Sequence, residues 1–110
     1  MKSEIEQIID EIKNFRNERD WQQFHDNKNL AISLSVEASE LLETFLWKND
    51  TEEDTNKVKQ ELSDVFYNAF LLADNYGFNV KEMISEKLRI NALKYPIDKS
   101  KGSNKKYNEL

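Results

Sequence analysis

The chain has 110 residues and a net charge of −5, with apolar residues at 38% and charged residues at 34%. This length supports one hydrophobic core, and the acidic balance disfavours binding to nucleic-acid polymers, which requires a basic face. The absence of cysteine excludes disulfides and thiolate metal sites, the single histidine excludes a histidine cluster, and two glycines with one proline disfavour a turn-rich β fold.

Four helices are predicted, and the first begins at Ser3. The motif Ser3-x-x-Glu6 is a capping box, and apolar residues follow it at helical spacing. These residues are Ile5, Ile8, Ile9, Ile12 and Phe15. The segment from Trp21 to Asn27 is interpreted as a connection rich in aromatic residues, in which Phe24 is expected to pack into the core.

The second and third helices supply most of the predicted core. Helix two is expected from about Lys28 to Trp47, and helix three from about Glu53 to Tyr76. Gly77 is expected to end helix three in the left-handed conformation, which glycine adopts without strain.

Helix three is apolar on two sides, and both sides must be buried. One face carries Val58, Leu62, Val65, Phe66, Ala69 and Leu72, while Tyr67, Phe70 and Leu71 extend around the helix. We therefore expect a second subunit to cover part of this surface. The alternative is that helix four covers it within the monomer.

The fourth helix is capped by Asn79 and ends at Pro96. The fold class expected is an all-α, four-helix bundle over residues 1–96, with a flexible or partner-bound basic arm over residues 97–110, whose net charge is +2. No apolar run approaches the ~20 residues that span a bilayer, and the acidic N-terminus does not resemble a signal peptide. We therefore expect a cytoplasmic protein that does not enter the membrane.

Two pairs of acids lie beside the core stripes of successive helices. Glu37-x-x-Glu40 is on helix two and Glu61-x-x-Asp64 is on helix three, and residues three apart point the same way. Four converging carboxylates repel one another, and a divalent cation such as Mg²⁺ or Mn²⁺ offsets that repulsion. The alternative is that they are solvated helix charges paired with Lys48, Lys57 or Lys59. A di-iron site is disfavoured, because it normally uses Glu-x-x-His motifs.

Motifs along nearly the whole chain carry a family resemblance. They are Arg19-Asp20-Trp21-Gln22-Gln23-Phe24-His25, Asn29-Leu30, Glu37-x-x-Glu40-Leu41, Phe45-Leu46-Trp47-Lys48, Gln60-Glu61-Leu62-Ser63-Asp64-Val65, Asn91-x-x-x-Tyr95-Pro96 and Lys101-Gly102-Ser103-x-x-Lys106-Tyr107. With these motifs the sequence resembles the MazG-like, all-α nucleoside triphosphate pyrophosphohydrolases. Among them it is most similar to the dCTP pyrophosphatases.

The resemblance implies hydrolysis of a nucleoside triphosphate, such as dCTP or a related dNTP, to the monophosphate and pyrophosphate. It implies Mg²⁺ as cofactor, with Mn²⁺ as a substitute, and a homotetramer built as a dimer of dimers that cleanses the nucleotide pool. The positions that match the family's metal and catalytic residues are Glu37, Glu40, Glu61 and Asp64. The alternative function is a non-catalytic helical module that binds a nucleotide or a protein.

The resemblance also implies substrate contacts. Trp21, His25 and Trp47 match the base pocket, although each has an alternative: the tryptophans fill the core and the histidine is a surface residue. Phosphate and sugar contacts are expected from Lys87, Asn91 and Tyr95, which lie on one face of helix four, and from Lys101 and Lys106 on the arm. Asn68 stands where dCTP-preferring members often have tyrosine, and is expected to contact the substrate there.

Overall fold

A computed structural model describes residues 1–46 and 54–110 of the chain, and the regular elements in these two ranges are all helical. α1 spans Glu4–Glu18, α2 spans Asn27–Glu43, α3 spans Thr55–Asn75, α4 spans Val80–Lys94 and α5 spans Ile97–Ser100. Short 3₁₀ helices occupy Gln22–Phe24 and Tyr107–Glu109. The all-α prediction is confirmed, and the four long helices occur in the predicted order.

Side chains at the helix N-termini explain where the helices begin. The Ser3 hydroxyl accepts a hydrogen bond from the Glu6 N–H, and Asn79 caps α4 in the same way, so both predicted caps are confirmed. Asp26 and Asp54 cap α2 and α3, which the sequence analysis did not identify. Each side chain satisfies N–H groups that the first helical turn leaves without a partner.

α3 ends as predicted at Gly77, whose φ is +70°. The Phe78 N–H donates to the Ala73 carbonyl at 3.0 Å, and the Gly77 N–H donates to the Asp74 carbonyl at 2.9 Å. These two bonds form a Schellman motif, which satisfies the last carbonyls of the helix. The left-handed glycine is what allows the chain to reverse there.

α1 ends in the same motif with an aspartate in the left-handed position. Asp20 has a φ of +55°, the Trp21 N–H donates to the Arg16 carbonyl at 3.1 Å, and the Asp20 N–H donates to the Asn17 carbonyl at 3.1 Å. Aspartate tolerates this conformation better than most residues. The Gln23 side-chain amide donates to the Asp20 carbonyl and carboxylate, which ties the reversal to the following 3₁₀ helix.

Two details of the predicted elements are wrong. α2 ends at Glu43 rather than at Trp47, because Thr44 to Leu46 form a turn, and Trp47 itself lies outside the described residues. Phe24 does not pack into the core, since its side chain is 61% exposed. The flexible or partner-bound arm over residues 97–110 stays a prediction, and α5 and a 3₁₀ helix form within that segment.

The chain divides into two compact units, residues 1–78 and residues 79–110. In the first, α3 packs mainly against α2 and also against α1, and Leu30, Leu71 and Ala73 are buried. An ion pair at 3.5 Å between Lys13 and Asp74 joins α1 to α3. The predicted division at residue 96 stays a prediction.

The second unit contains α4, α5 and the C-terminal 3₁₀ helix. The rings of Tyr95 and Tyr107 meet edge to face with centroids 6.2 Å apart, and the Lys94 ammonium lies 4.9 Å from the Tyr107 ring. These contacts give the C-terminal segment a defined attachment to the end of α4.

Large apolar side chains remain exposed on the helices of the single chain. Leu62 and Phe66 on α3 are 39% and 51% exposed, and Ile32 and Val36 on α2 are similarly uncovered. None of the helices described is both long and apolar enough to cross a membrane. The exposed Leu62 and Phe66 belong to the apolar face of helix three, which the sequence analysis described as apolar on two sides.

Candidate active site

The packing of α2 along α3 brings three carboxylates together. Glu37 comes from α2, and Glu61 and Asp64 come from successive turns of α3. One oxygen of each of the three lies within 4.8 Å of the other two. The i, i+3 spacing of the two α3 acids points them to the same side of that helix, which is the side that meets α2.

Two of these oxygens are buried without a hydrogen-bond partner. They are Oε2 of Glu37 and Oε2 of Glu61. Buried carboxylate oxygens are normally paired, because an unpaired one loses its hydration without compensation. Hard oxygen ligands clustered at this spacing fit a divalent cation of the Mg²⁺ or Mn²⁺ type. The carboxylates of Glu37, Glu61 and Asp64 are therefore suitable ligands for such an ion.

The electrostatics of the cluster lead to the same conclusion. Burial, the adjacent Glu40 and the α3 acids together raise the pKa of Glu37 from 4.5 to about 7, with burial the largest cause. Burial likewise raises the pKa of Glu61, and Glu40 lies within hydrogen-bonding reach of both groups. Without a cation, the cluster is stabilised by binding a proton. With a cation, all the carboxylates can be ionised.

The alternative of solvated helix charges has no support in the described ranges. Glu37, Glu40, Glu61 and Asp64 are in no ion pair among residues 1–46 and 54–110, so Lys57 and Lys59 do not neutralise them. Lys48 lies outside the described residues. Partial burial of Glu37 and Glu61 also distinguishes them from ordinary surface acids.

Beside the acids, four rings from three elements form a closed cycle. Phe15 contacts Trp21 with centroids 5.8 Å apart, Trp21 contacts His25 at 6.5 Å, His25 contacts Tyr67 at 6.4 Å, and Tyr67 contacts Phe15 at 6.3 Å. All four contacts are edge to face, the arrangement that the quadrupoles of aromatic rings prefer. We call these four residues the ring cycle.

Hydrogen bonds fix the ring cycle in place. The Asn75 amide on the last turn of α3 donates to the His25 carbonyl at 3.0 Å and to the Asn27 side chain at 3.1 Å. The Schellman motif at Asp20 directs Trp21 back toward α1. The motif Arg19 to His25 is therefore a compact turn that holds the Trp21 ring against Phe15 of α1 and the His25 ring against Tyr67 of α3.

An open groove of about 630 Å³ joins the ring cycle to the acids. Its walls include Ile8, Ile12, Phe15 and Trp21 on one side and Asp64 and Tyr67 on the other. A second groove of about 510 Å³ also borders Asp64 and Tyr67. An apolar groove that ends at a few polar groups is the usual form of a small-molecule site.

A cluster of buried polar groups lies at the ring cycle, and sequence reasoning missed it. Arg16 is only 4% exposed, and the His25 Nδ1 and Tyr67 hydroxyl are both buried without a hydrogen-bond partner. Burial lowers the pKa of His25, and the Arg16 charge lowers it further. Burial raises the pKa of Tyr67, against the effect of Arg16 and Arg19. His25 is therefore neutral at pH 7.

A signal for Arg16 was present in the sequence. Arg16 lies four residues after Ile12 and seven after Ile9, so it continues the apolar stripe of α1. A charged residue at a core position of an amphipathic helix indicates a buried charge with a specific role.

The remaining predicted substrate residues are placed separately. Asn68 is buried on α3, where its amide donates to the Asp64 carbonyl at 2.9 Å. Trp47 lies outside the described residues. The others are in the second unit, where Asn91 and Tyr95 are half-buried and Lys87, Lys101 and Lys106 are exposed. Their roles stay predictions.

Comparisons with known proteins give consistent results. Residues 32–110 match the model of the MazG-like family. The proteins named dCTP pyrophosphatase 1 from Mus musculus and Homo sapiens are each 36% identical over 104 residues, covering 87% of this chain and 61% of the relative. The chain thus spans less than two thirds of the length of these relatives. A crystal structure of a pyrophosphatase from Archaeoglobus fulgidus matches at a TM-score of 0.80 and 33% identity, covering 87% of this chain and 95% of that one.

Proposed function

The chain belongs to the MazG-like family, as its motifs indicated, and from this premise we propose that it hydrolyses a deoxynucleoside triphosphate to the monophosphate and pyrophosphate. The observation that carries the proposal is the convergence of Glu37, Glu61 and Asp64 at the end of the aromatic groove. The curated relatives named dCTP pyrophosphatase 1 support dCTP or a related pyrimidine dNTP as the substrate. The proposed role is removal of unwanted nucleotides from the cellular pool.

We propose Mg²⁺ as the cofactor, with Mn²⁺ as a substitute. The residues that would hold it are Glu37, Glu61 and Asp64, with Glu40 beside them. Such an ion, when bound, offsets the negative charge that develops on the phosphate oxygens. The carboxylates would hold such an ion beside the groove, because they come from both α2 and α3 and Asp64 also lines the groove.

The reaction needs a water oxygen to form a bond with the α-phosphorus while the bond from that phosphorus to the bridging oxygen breaks. Pyrophosphate leaves with the electron pair of the broken bond. A carboxylate oxygen of the cluster that is not engaged by the cation accepts the proton of the attacking water. The ring cycle holds the base, because aromatic faces stack on bases and exclude water from the groove.

The residues of α4 and the C-terminal segment are proposed to hold the rest of the nucleotide. Lys87, Asn91 and Tyr95 are spaced by four residues, so they share one face of α4. Lys101 and Lys106 are exposed cations that suit phosphate oxygens. Cytoplasmic location, expected from composition, stays a prediction.

We propose a homo-oligomer, in the form of the tetramer that the family resemblance implies. The exposed Leu62 and Phe66 on α3 support it, because apolar faces of this kind are normally covered by a subunit. Light scattering of the active protein is expected to give a multiple of 13.1 kDa, and Phe66→Glu is expected to lower that mass. A 13.1 kDa particle with full activity would contradict the proposal.

The test of activity is a panel of NTPs and dNTPs with direct detection of pyrophosphate, with and without Mg²⁺. We expect release of equal amounts of pyrophosphate and monophosphate, fastest with a pyrimidine dNTP. Glu61→Gln is expected to lower the rate of pyrophosphate release by about a hundredfold or more, while Glu43→Gln, at an exposed acid on α2, serves as the matched control. Full turnover by Glu61→Gln, or release of orthophosphate alone, would show that the proposed reaction is wrong.

A further inference from the structure

Arg16 is the most unusual residue in the described part of the chain. It is 4% exposed, and the only hydrogen bond that its side chain donates among residues 1–46 and 54–110 runs from Nε to the Asn17 side chain at 3.0 Å. No carboxylate in the same ranges forms an ion pair with it. A buried guanidinium in this state is strongly destabilising unless something compensates it.

Two further groups beside Arg16 lack partners. The His25 Nδ1 and the Tyr67 hydroxyl are buried without hydrogen bonds, and the Arg16 charge acts on both residues. His25 and Tyr67 are neighbours in the ring cycle, with centroids 6.4 Å apart. Three polar side chains from α1, the connecting turn and α3 thus converge without satisfying one another. Arg16 and Tyr67 both carry hydrogen-bond donors, so these two side chains require a ligand with acceptor atoms.

The surroundings fit the edge of a nucleobase better than a free anion. The ring cycle offers aromatic faces and edges, which a planar heterocycle contacts favourably. Tyr67 is one helical turn after Asp64, and both border the same groove, so a base at Tyr67 leaves its phosphates near the acids. A free phosphate has no planar surface that could stack on these aromatic rings.

We propose that Arg16 determines base specificity by donating to two adjacent acceptors on the base, assisted by Tyr67, and so favours cytosine over uracil and thymine. This inference rests on the proposed function. A guanidinium presents two parallel N–H groups. Cytosine presents O2 and N3 side by side as acceptors. In uracil and thymine N3 carries a hydrogen, so one N–H of the fork would face another donor.

The size of the effect follows from bidentate readout of bases. A good bidentate contact contributes ~1–3 kcal/mol of discrimination, which corresponds to about 5-fold to 150-fold. Arg16→Met removes the donors and keeps most of the volume. Arg16→Lys keeps the charge but loses the planar fork. Tyr67→Phe removes only the hydroxyl.

The test compares kcat/KM for dCTP and dUTP in the wild type and these variants, with Arg89→Met, an exposed arginine of α4, as the matched control. We expect the ratio of dCTP to dUTP to fall about tenfold in Arg16→Met and Arg16→Lys. A smaller fall is expected in Tyr67→Phe, and none in the control. Affinities for dCMP and dUMP, measured by calorimetry, should change in the same ratio.

A structural role for Arg16 predicts a different result. It would lower the melting temperature and reduce kcat/KM for both nucleotides by one factor, leaving the ratio unchanged. That outcome in the folded Arg16→Lys or Arg16→Met protein would overturn the inference and leave the proposed function intact. A wild type that releases no pyrophosphate from any nucleotide but binds dCMP better than dUMP through Arg16 would overturn the proposed function alone.

Discussion

Two polar clusters meet α3 one turn apart, and they have opposite charge. The acids Glu37, Glu61 and Asp64 gather on the side that faces α2, while Arg16 on α1 is near enough to Tyr67 for its charge to act on that hydroxyl. Both clusters contain buried atoms without partners. Each therefore destabilises the isolated protein, and a ligand would relieve the cost: a cation at the first cluster and acceptor atoms at the second.

The difference between the clusters lies in how their residues are distributed along the chain. The acids are paired at i, i+3 on two helices, so their spacing in the sequence already predicts that each pair points to one side of its helix. Arg16, His25 and Tyr67 come from three separate elements and share no spacing. Polar groups that converge from different elements are visible only when the tertiary packing is known.

The largest effect is expected from removing a negative charge from the acidic cluster. Glu61→Gln or Asp64→Asn should lower kcat by about a hundredfold or more, because a charge that acts on the transition state is lost. The melting temperature of the metal-free protein should stay the same or rise, since repulsion is relieved. Mg²⁺-dependent turnover near the wild-type rate in both variants would contradict the assignment of these acids.

The next effect concerns the ring cycle. Trp21→Ala should raise KM about tenfold with a smaller change in kcat, because stacking on a base contributes ~1–3 kcal/mol. Trp21 is 41% exposed, so its removal should not unfold the protein. Phe24→Ala, in the same turn but outside the cycle, is the control. An equal rise of KM in both variants would show that the base binds elsewhere.

The two clusters should also differ in how stability depends on pH. Burial and the neighbouring acids raise the pKa of Glu37 to about 7, so between pH 4.5 and 7 the folded state keeps a proton that the unfolded state has lost. Stability of the metal-free protein should therefore fall as the pH rises through this window. In the other cluster, burial and then the Arg16 charge lower the pKa of His25, so the unfolded state binds a proton there that the folded state has lost, and this contribution to stability rises with pH.

Thermal unfolding from about pH 5 to about pH 8 tests this slope. Saturating Mg²⁺ should reduce the fall in melting temperature, because the cation binds the ionised carboxylates of the folded state. The double variant Glu37→Gln, Glu61→Gln should show a shallower slope and little response to Mg²⁺. Identical slopes in the wild type and the double variant would disprove the assignment of the pH dependence to this cluster.

The smallest effect is expected from removing the Asn75 side chain, whose hydrogen bonds hold the turn that carries His25. Asn75→Ala removes two hydrogen bonds to the turn that carries His25, at a cost of about 1 kcal/mol in the free energy of unfolding. Base preference should weaken slightly, because the His25 ring is less well fixed. Asn14→Ala, an exposed asparagine of α1, is the control. Equal stability of the two variants in urea unfolding would argue against a supporting role for Asn75.

The sequence predicted the helices wherever local signals determine them. Ser3, Asn79 and Gly77 set boundaries through caps and a left-handed residue, and these predictions are confirmed. The end of α2 was placed too late, because the apolar stripe continues through Phe45 although the backbone already turns there. A side-chain pattern does not report where backbone hydrogen bonding stops.

For the candidate site, the sequence predicted that four acids of the two helices converge, and the structure groups Glu37, Glu61 and Asp64 within 4.8 Å with Glu40 beside them. The sequence did not predict which groups lie next to these acids. The acids follow from helical geometry on two adjacent helices. The burial of Arg16 and the isolation of the Tyr67 hydroxyl depend on how α1 and the turn after it pack on α3. Phe24 shows the opposite failure: its aromatic character predicted burial in the core, but its side chain is exposed.

Because Asp64 and Tyr67 lie on one uninterrupted helix, α3 fixes the distance between the proposed site of bond cleavage and the proposed site of base recognition. Three residues of helix advance about 4.5 Å along the axis, and this interval cannot stretch without breaking backbone hydrogen bonds. Inserting one residue between them would rotate Tyr67 by about 100° around the axis and remove it from the groove. A substitution at Ile8 or Ile12 in the groove wall leaves this interval unchanged, whereas an insertion or deletion between Asp64 and Tyr67 does not.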